Sequence, residues 1–203
     1  GLIMILIHAC TNLDEIVYDK IPVTEYGNTE QQANSLVGPV YKTLQHVWGA
    51  NGSLFALSEI AGGMANNPTR RGGDGWENGV FKMIVQHTWT VREEFSEEFF
   101  QDAYASIGIC NQVIQIVQDS DMDDKERVIA EIRGVRAYWY YLLLDYFGNV
   151  PLVTDFKDTT LPKTSSRVAI YDFVLSELNE IKDVVRDDVS LASYGKFTKG
   201  AAY

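Results

Sequence analysis

Four glutamates, Glu93, Glu94, Glu97 and Glu98, crowd one short stretch and offer the carboxylate pairs that glycoside hydrolysis would need. They also fall at a predicted helix start. Acids there are stabilised by unpaired backbone N–H groups, which accounts for them without catalysis. His8, His46 and His87 are scattered, and no GxSxG or HExxH pattern supplies a nucleophile or a metal pair. The two cysteines, Cys10 and Cys110, form no CxxC and join no Cys/His cluster. Asp119-Ser120-Asp121-Met122-Asp123-Asp124 opens like a calcium loop. An EF-hand, however, needs Gly at its sixth position and Glu at its twelfth, and here these are Asp124 and Ala130. Helix capping is the expected role. These residues predict no enzyme, no metal and no cofactor.

What remains is a loop. From Gly49 to Gly79 periodicity is lost and Gly, Asn and Pro accumulate, which predicts a long surface connection. Such stretches inside compact domains are uncommon and often functional. Within it, Pro68–Gly79 is the candidate contact region. Its glycines permit close backbone approach, Trp76 offers a flat aromatic face, and Asp74, Asn78 and Arg71 can hydrogen-bond hydroxyl groups. The alternative is that Trp76 folds back to seal the loop onto the body and that Arg70 and Arg71 are solvated.

The elements that must position this loop are helical. Val128, Ile132, Val135, Trp139, Leu142 and Tyr146 alternate by four and three, so 123–147 predicts a central helix whose C-terminal half is apolar nearly all round. Asp123 with Glu126 is its expected cap, Gly148 and Pro151 its stop, and Gly134 the place where a second helix crosses closely. Upstream, Ser96 is the expected cap of a helix with the stripe Phe99, Ala103, Ile107, Cys110, Ile114 and Val117. The short turn between the two helices makes them an antiparallel hairpin. Thr29 and Gln32 cap an earlier helix carrying Ala33, Leu36, Val40, Leu44 and Val47, kinked or restarted at Gly38-Pro39. Ser166 caps a later one with Tyr171, Val174, Leu178, Ile181 and Val185 inside. Val80–Thr90 reads as a short strand or more loop, and 197–203 as a helix cut off in its first turns. Trp89 and Trp139 are expected in the core, and Arg133 with Arg136 as ties to acidic loop residues. The chain is mainly all-α, built from tetratricopeptide-like helical hairpins.

Composition sets outer bounds. Apolar residues make up 46% and charged residues 22% of the 203, an ordinary globular balance. A net charge of −11 leaves nucleic acid and anionic lipid headgroups as poor partners. Leu2–Ala9 is apolar but far too short to span a bilayer. It looks like the end of a secretory leader, and Ile7-His8-Ala9-Cys10 resembles a bacterial lipobox whose cysteine is lipidated. Residues 11–28 then read as an extended tether.

Several stretches, in order along nearly the whole chain, resemble the SusD/RagB outer-membrane nutrient-binding lipoproteins of Bacteroidetes. Glu131-Ile132-Arg133-Gly134-Val135-Arg136-Ala137-Tyr138 with Tyr146-Phe147-Gly148-Asn149-Val150-Pro151 is similar to the family's AE-x-R-x-x-RAY helix and YFGDVP turn. Pro68-Thr69-Arg70-Arg71-Gly72-Gly73-Asp74-Gly75-Trp76, followed by His87-Thr88-Trp89-Thr90, is similar to its PTRGGDW…HTWT region. Ser166-Arg167 with Tyr171-Asp172-Phe173, and Thr198-Lys199-Gly200-Ala201-Ala202, also match. Arg71 and Gly75 lengthen the loop relative to the family spacing.

The resemblance implies a SusD-like fold that is truncated here: 1–10 the end of a lipoprotein signal with its lipobox, 11–28 a tether, and 29–203 the N-terminal part of the helical domain. It implies a surface-exposed outer-membrane protein, lipid-anchored at Cys10, that captures oligosaccharides for a SusC-like TonB-dependent transporter. Peptide capture of the RagB type and a tetratricopeptide-like adaptor are the alternatives. Trp76, Asp74, Asn78 and Arg71 are then the expected ligand contacts. One covered face of a Trp contributes roughly 2–3 kcal/mol, below the ~4 kcal/mol of a millimolar complex, so Trp76 needs partners.

Overall fold

The structure is a computed structural model describing residues 30–49, 52–66, 80–90, 93–188, 190–191 and 194–203. Helix α1 spans Glu30–Val47, α2 Ser53–Phe55 running into a π-helical turn Ala56–Ile60, and α3 Val80–Val85. The long helices α4 (Glu94–Gln118) and α5 (Lys125–Phe147) follow. A two-residue strand β1 (Val150–Pro151) pairs antiparallel with β2 (Thr164–Ser165), Val150 opposite Ser165. Helices α6 (Arg167–Ile181) and α7 (Lys199–Ala202) complete the order.

Helix α5 is the centre, as its apolar period requires. It contacts α4 on one side, α6 on another and α1 across the hairpin. Phe99, Ile107, Ile132, Trp139, Tyr140, Leu143 and Ile170 are fully buried in the core they share. The expected α4 stripe, Phe99 to Val117, is buried throughout. Gly148 ends α5 in a left-handed conformation, φ 72°, with its N–H on the Leu144 carbonyl. Ser166 caps α6 through its hydroxyl, which accepts from Ala169 N–H at 3.2 Å. Helix α1 continues through Pro39, which supplies no N–H to its ladder, so the helix does not begin again there.

Several expectations are corrected, each for a physical reason. The cap of α4 is Glu93, not Ser96: its carboxylate accepts from the Phe95 and Ser96 N–H groups at 2.8 and 2.7 Å and from the Ser96 hydroxyl at 2.6 Å. Helix α5 begins at Lys125 without a side-chain cap, because Asp124 is not extended and its carboxylate pairs with Arg127 instead. Val80–Val85 is helical rather than a strand. Phe81 and Ile84, three apart, both bury on one face against Ala56, Ile60 and Phe95, which a short apolar run does not reveal by itself. Part of the expected loop, 53–60, is helical too, since Leu54, Ala56 and Ile60 bury. The close approach at Gly134 is made by the Phe197 ring, not a helix. Trp89 is exposed while Trp139 is fully buried.

On α6 the inward residues are Ile170, Val174, Glu177 and Ile181, with Tyr171 exposed. The rotation follows from Glu177. Its Oε1 accepts from Arg133 Nε and Nη2 at 3.1 and 2.6 Å, and its Oε2 from Arg136 Nη2 at 2.8 Å. Arg133 also reaches Glu180 at 2.7 Å. Arg136 continues to Asn111 Oδ1 at 2.7 Å and the Thr154 carbonyl at 3.2 Å. The arginines thus tie to a helix rather than to acidic loop residues. Tyr140 clasps the Val153 backbone from both sides, its hydroxyl accepting from the N–H and donating to the carbonyl.

Three consequences can be measured. Gly134→Ala gains about 1 kcal/mol of helix propensity but drives a methyl into Phe197, so stability falls by about 1–2 kcal/mol. In a Phe197→Ala background the same change becomes stabilising, read as a reversal in the urea midpoint. Glu177→Gln strands Arg136, whose side chain is 7% exposed, and costs about 3–5 kcal/mol. Glu180→Gln, at an exposed position, shifts the same denaturation curve far less than Glu177→Gln does. Burial pushes the Cys110 thiol from 9.0, and the Tyr140 hydroxyl from 10.0, up to about 12 each. The fold therefore holds both neutral, and their stabilisation is complete below about pH 9 and lost as pH climbs towards 12. Urea midpoints decline over that alkaline range, less steeply in Cys110→Ala.

Candidate ligand-binding surface

The expected contact residues Trp76, Asp74, Asn78 and Arg71, and the expected lipidation residue Cys10, lie outside the described residues. The structure does describe what carries their loop. After the π-helical turn, the chain closes on itself: Ala61 N–H bonds to Ala56 O, and Met64 and Ala65 N–H both bond to Glu59 O. Gly63 takes φ 74°, which lets the chain turn there without a Cβ penalty. On the far side of the loop, Val80 opens α3. Ala65 and Val80 both pack against the cluster of Ala56, Ile60, Phe81, Ile84 and Phe95. Phe81 and Phe95 hold it with ring centroids 5.4 Å apart. The two stems of 67–79 therefore stand on one small apolar core.

His87 binds the stems together. It adopts the left-handed region at φ 54°, uncommon for a residue with a side chain. Its Nε2 lies 2.8 Å from the Ala61 carbonyl, which fixes that nitrogen as the donor. Thr88 N–H returns to Met83 O at 2.9 Å, closing the end of α3. These bonds deliver Trp89 to the surface with its ring 5.0 Å from the His87 ring, 45% exposed. Met64, Met83 and Val85 are exposed in the same stem segments. An open aromatic face of this kind can stack on a flat apolar ligand face.

Trp89 was legible as an aromatic but not as a surface one. In a short apolar segment a Trp is more often buried, and the turn at His87 carries no sequence signature. Glu93, the first of the crowded glutamates, is buried and spent on capping α4. A second cleft lies between α4, α5 and α6, lined by Gln115, Arg133, Arg136, Thr154, Phe156 and Glu177. Its two arginines are balanced by Glu177 and Glu180, so it carries no surplus charge for an anion.

Comparison with known proteins agrees with this architecture. The profile of a SusD-like family, described as starch-binding and associating with the outer membrane, matches residues 56–195, most of the chain. SusD-like protein P2 of Formosa agariphila is 22% identical over 99% of this chain and 40% of its own length. A SusD-like carbohydrate-binding protein from Bacteroides fragilis has 25% identity and a TM-score of 0.67, over 86% of this chain and 36% of its own. A laminarin-binding SusD-like protein superposes with a TM-score of 0.72 at 22% identity, covering 86% of this chain and 38% of its own. The chain thus spans 36–40% of the length of these relatives. Its mainly helical architecture is the fold of those structures, and the chain belongs to the SusD-like family.

Proposed function

We propose that this chain is the N-terminal part of a surface-exposed, lipid-anchored glycan-binding protein. It captures oligosaccharides for import through a SusC-like TonB-dependent transporter in the outer membrane. The observation that carries this reading is the family match over 56–195, together with a solved relative whose name gives carbohydrate binding. In this reading Cys10 carries the lipid, residues 11–28 are the tether, and 29–203 belong to the binding body. Binding proceeds without chemistry, and the capping role of Glu93 removes one carboxylate from any hydrolytic pair.

Trp76 stacks on a sugar ring, with Asp74, Asn78 and Arg71 bonding its hydroxyls. Trp89 answers the shortfall that Trp76 alone leaves. It supplies a second aromatic face at the foot of the same loop, worth a comparable ~2 kcal/mol when covered. Two such faces together reach the ~4 kcal/mol of a millimolar complex, and hydrogen bonds add to it.

The test is affinity electrophoresis through gels carrying laminarin, starch or other neutral polysaccharides. Retardation by at least one glycan is expected, with Trp76→Ala weakening binding roughly 30-fold. Trp89→Ala is expected to act in the same direction. Retardation unchanged in both variants would overturn this site. No retardation by any glycan, with binding of peptides instead, would replace the reading by RagB-type capture. Cys10→Ser is expected to lose metabolic labelling by a fatty-acid analogue and to leave the membrane fraction.

A further inference from the structure

His46, Glu98 and Asp102 each bring one ligand atom within 4.8 Å of the others. Glu98 and Asp102 lie one turn apart on α4 and so share a face, while His46 is in the last turn of α1. His46 Nδ1 stands 3.3 Å from Asp102 Oδ2. That is about the separation of two ligands in a tetrahedral centre with bonds of ~2.0–2.1 Å. Among the described residues the Glu98 carboxylate makes no hydrogen bond, so its lone pairs are uncommitted. The three side chains are a compact donor set, with His46 and Asp102 already in hydrogen-bond contact. Beside it opens a cavity of about 780 Å³ lined by Pro39, Lys42, Gln45, His46, Gly49 and Asp102. It is roomy enough for water to complete a coordination shell.

We propose that His46, Glu98 and Asp102 form a divalent-metal site of one imidazole and two carboxylates that clamps α1 to α4. The donor set selects the ion. An imidazole suits zinc and its first-row neighbours, whereas calcium takes six to eight oxygens. Three protein ligands leave a position for water. No spacing motif announces the site, because His46 and Asp102 are 56 residues apart. Lys42 lines the same cavity.

The test uses the whole chain carrying Cys10→Ser, which removes the N-terminal thiol as a rival ligand, after dialysis against chelator. Calorimetric titration with zinc is expected to give one ion per chain, no binding of calcium at equal concentration, and a zinc-dependent rise in melting temperature. Cobalt is expected to develop visible d–d bands that zinc displaces. Glu98→Gln, which keeps the shape and the helix, and His46→Ala are each expected to weaken zinc about 100-fold and abolish the cobalt bands. Absence of zinc binding, or zinc binding equally tight in Glu98→Gln and His46→Ala, would overturn the proposal. Equal affinity for calcium would overturn its assignment to the zinc class.

Discussion

The carboxylate of Glu177, held beneath two guanidinium groups, is the constraint from which most of the described structure follows. An arginine does not lose its proton in a protein. Once Arg136 is carried into the core on the central helix α5, an acid must meet it there. Glu177 does so with both oxygens shared between Arg133 and Arg136. The position of that one residue fixes the rotation of α6. Ile170, Val174 and Ile181 then face inward and Tyr171 faces out. From Arg136 the network continues through Asn111 and the Thr154 carbonyl, so the segment that follows β1 is held against α4 as well.

This dependence explains which parts of the fold the letters disclosed. The stripes of α4 and α5 are long and apolar, and periodicity alone places Phe99, Ile132 and Trp139 inside. Helix α6 has a weaker stripe, in which Tyr171 competes with Ile170 for the inner face. The deciding term is an ion pair to a residue 41 positions away, which periodicity does not encode. Family resemblance marked Arg133 and Arg136 without naming their partner. The cap of α4 is a similar case. Ser96 is the commoner cap by type, but the Glu93 carboxylate takes the Phe95 and Ser96 N–H groups and the Ser96 hydroxyl itself.

The short elements were the least legible, again for a physical reason. Residues 53–60 and 80–85 are too short for a helical period to rise above chance, and each folds only because the other covers it. Gly134 shows the same limit differently. A glycine inside a helix signals a close neighbour, but nothing local says whether that neighbour is a helix or the ring of Phe197, which arrives from beyond α6. The exposure of Trp89 likewise depends on the left-handed turn at His87 and on a hydrogen bond to Ala61.

Those short elements matter most for the proposed binding role. A loop that captures a ligand loses affinity in proportion to the freedom it must surrender on binding. Here both stems of 67–79 stand on the Phe81–Phe95 cluster, and His87 ties one stem to the other, so the loop is closed at its base before any ligand arrives. Closing that base limits the reach of the intervening residues, and the same turn at His87 exposes the Trp89 ring. The supporting cluster lies against the start of α4 and shares Leu57 with the main core, so it is anchored to the hairpin body. In the proposed binding role the body supplies stability, and the cluster, by holding both stems, supplies preorganisation.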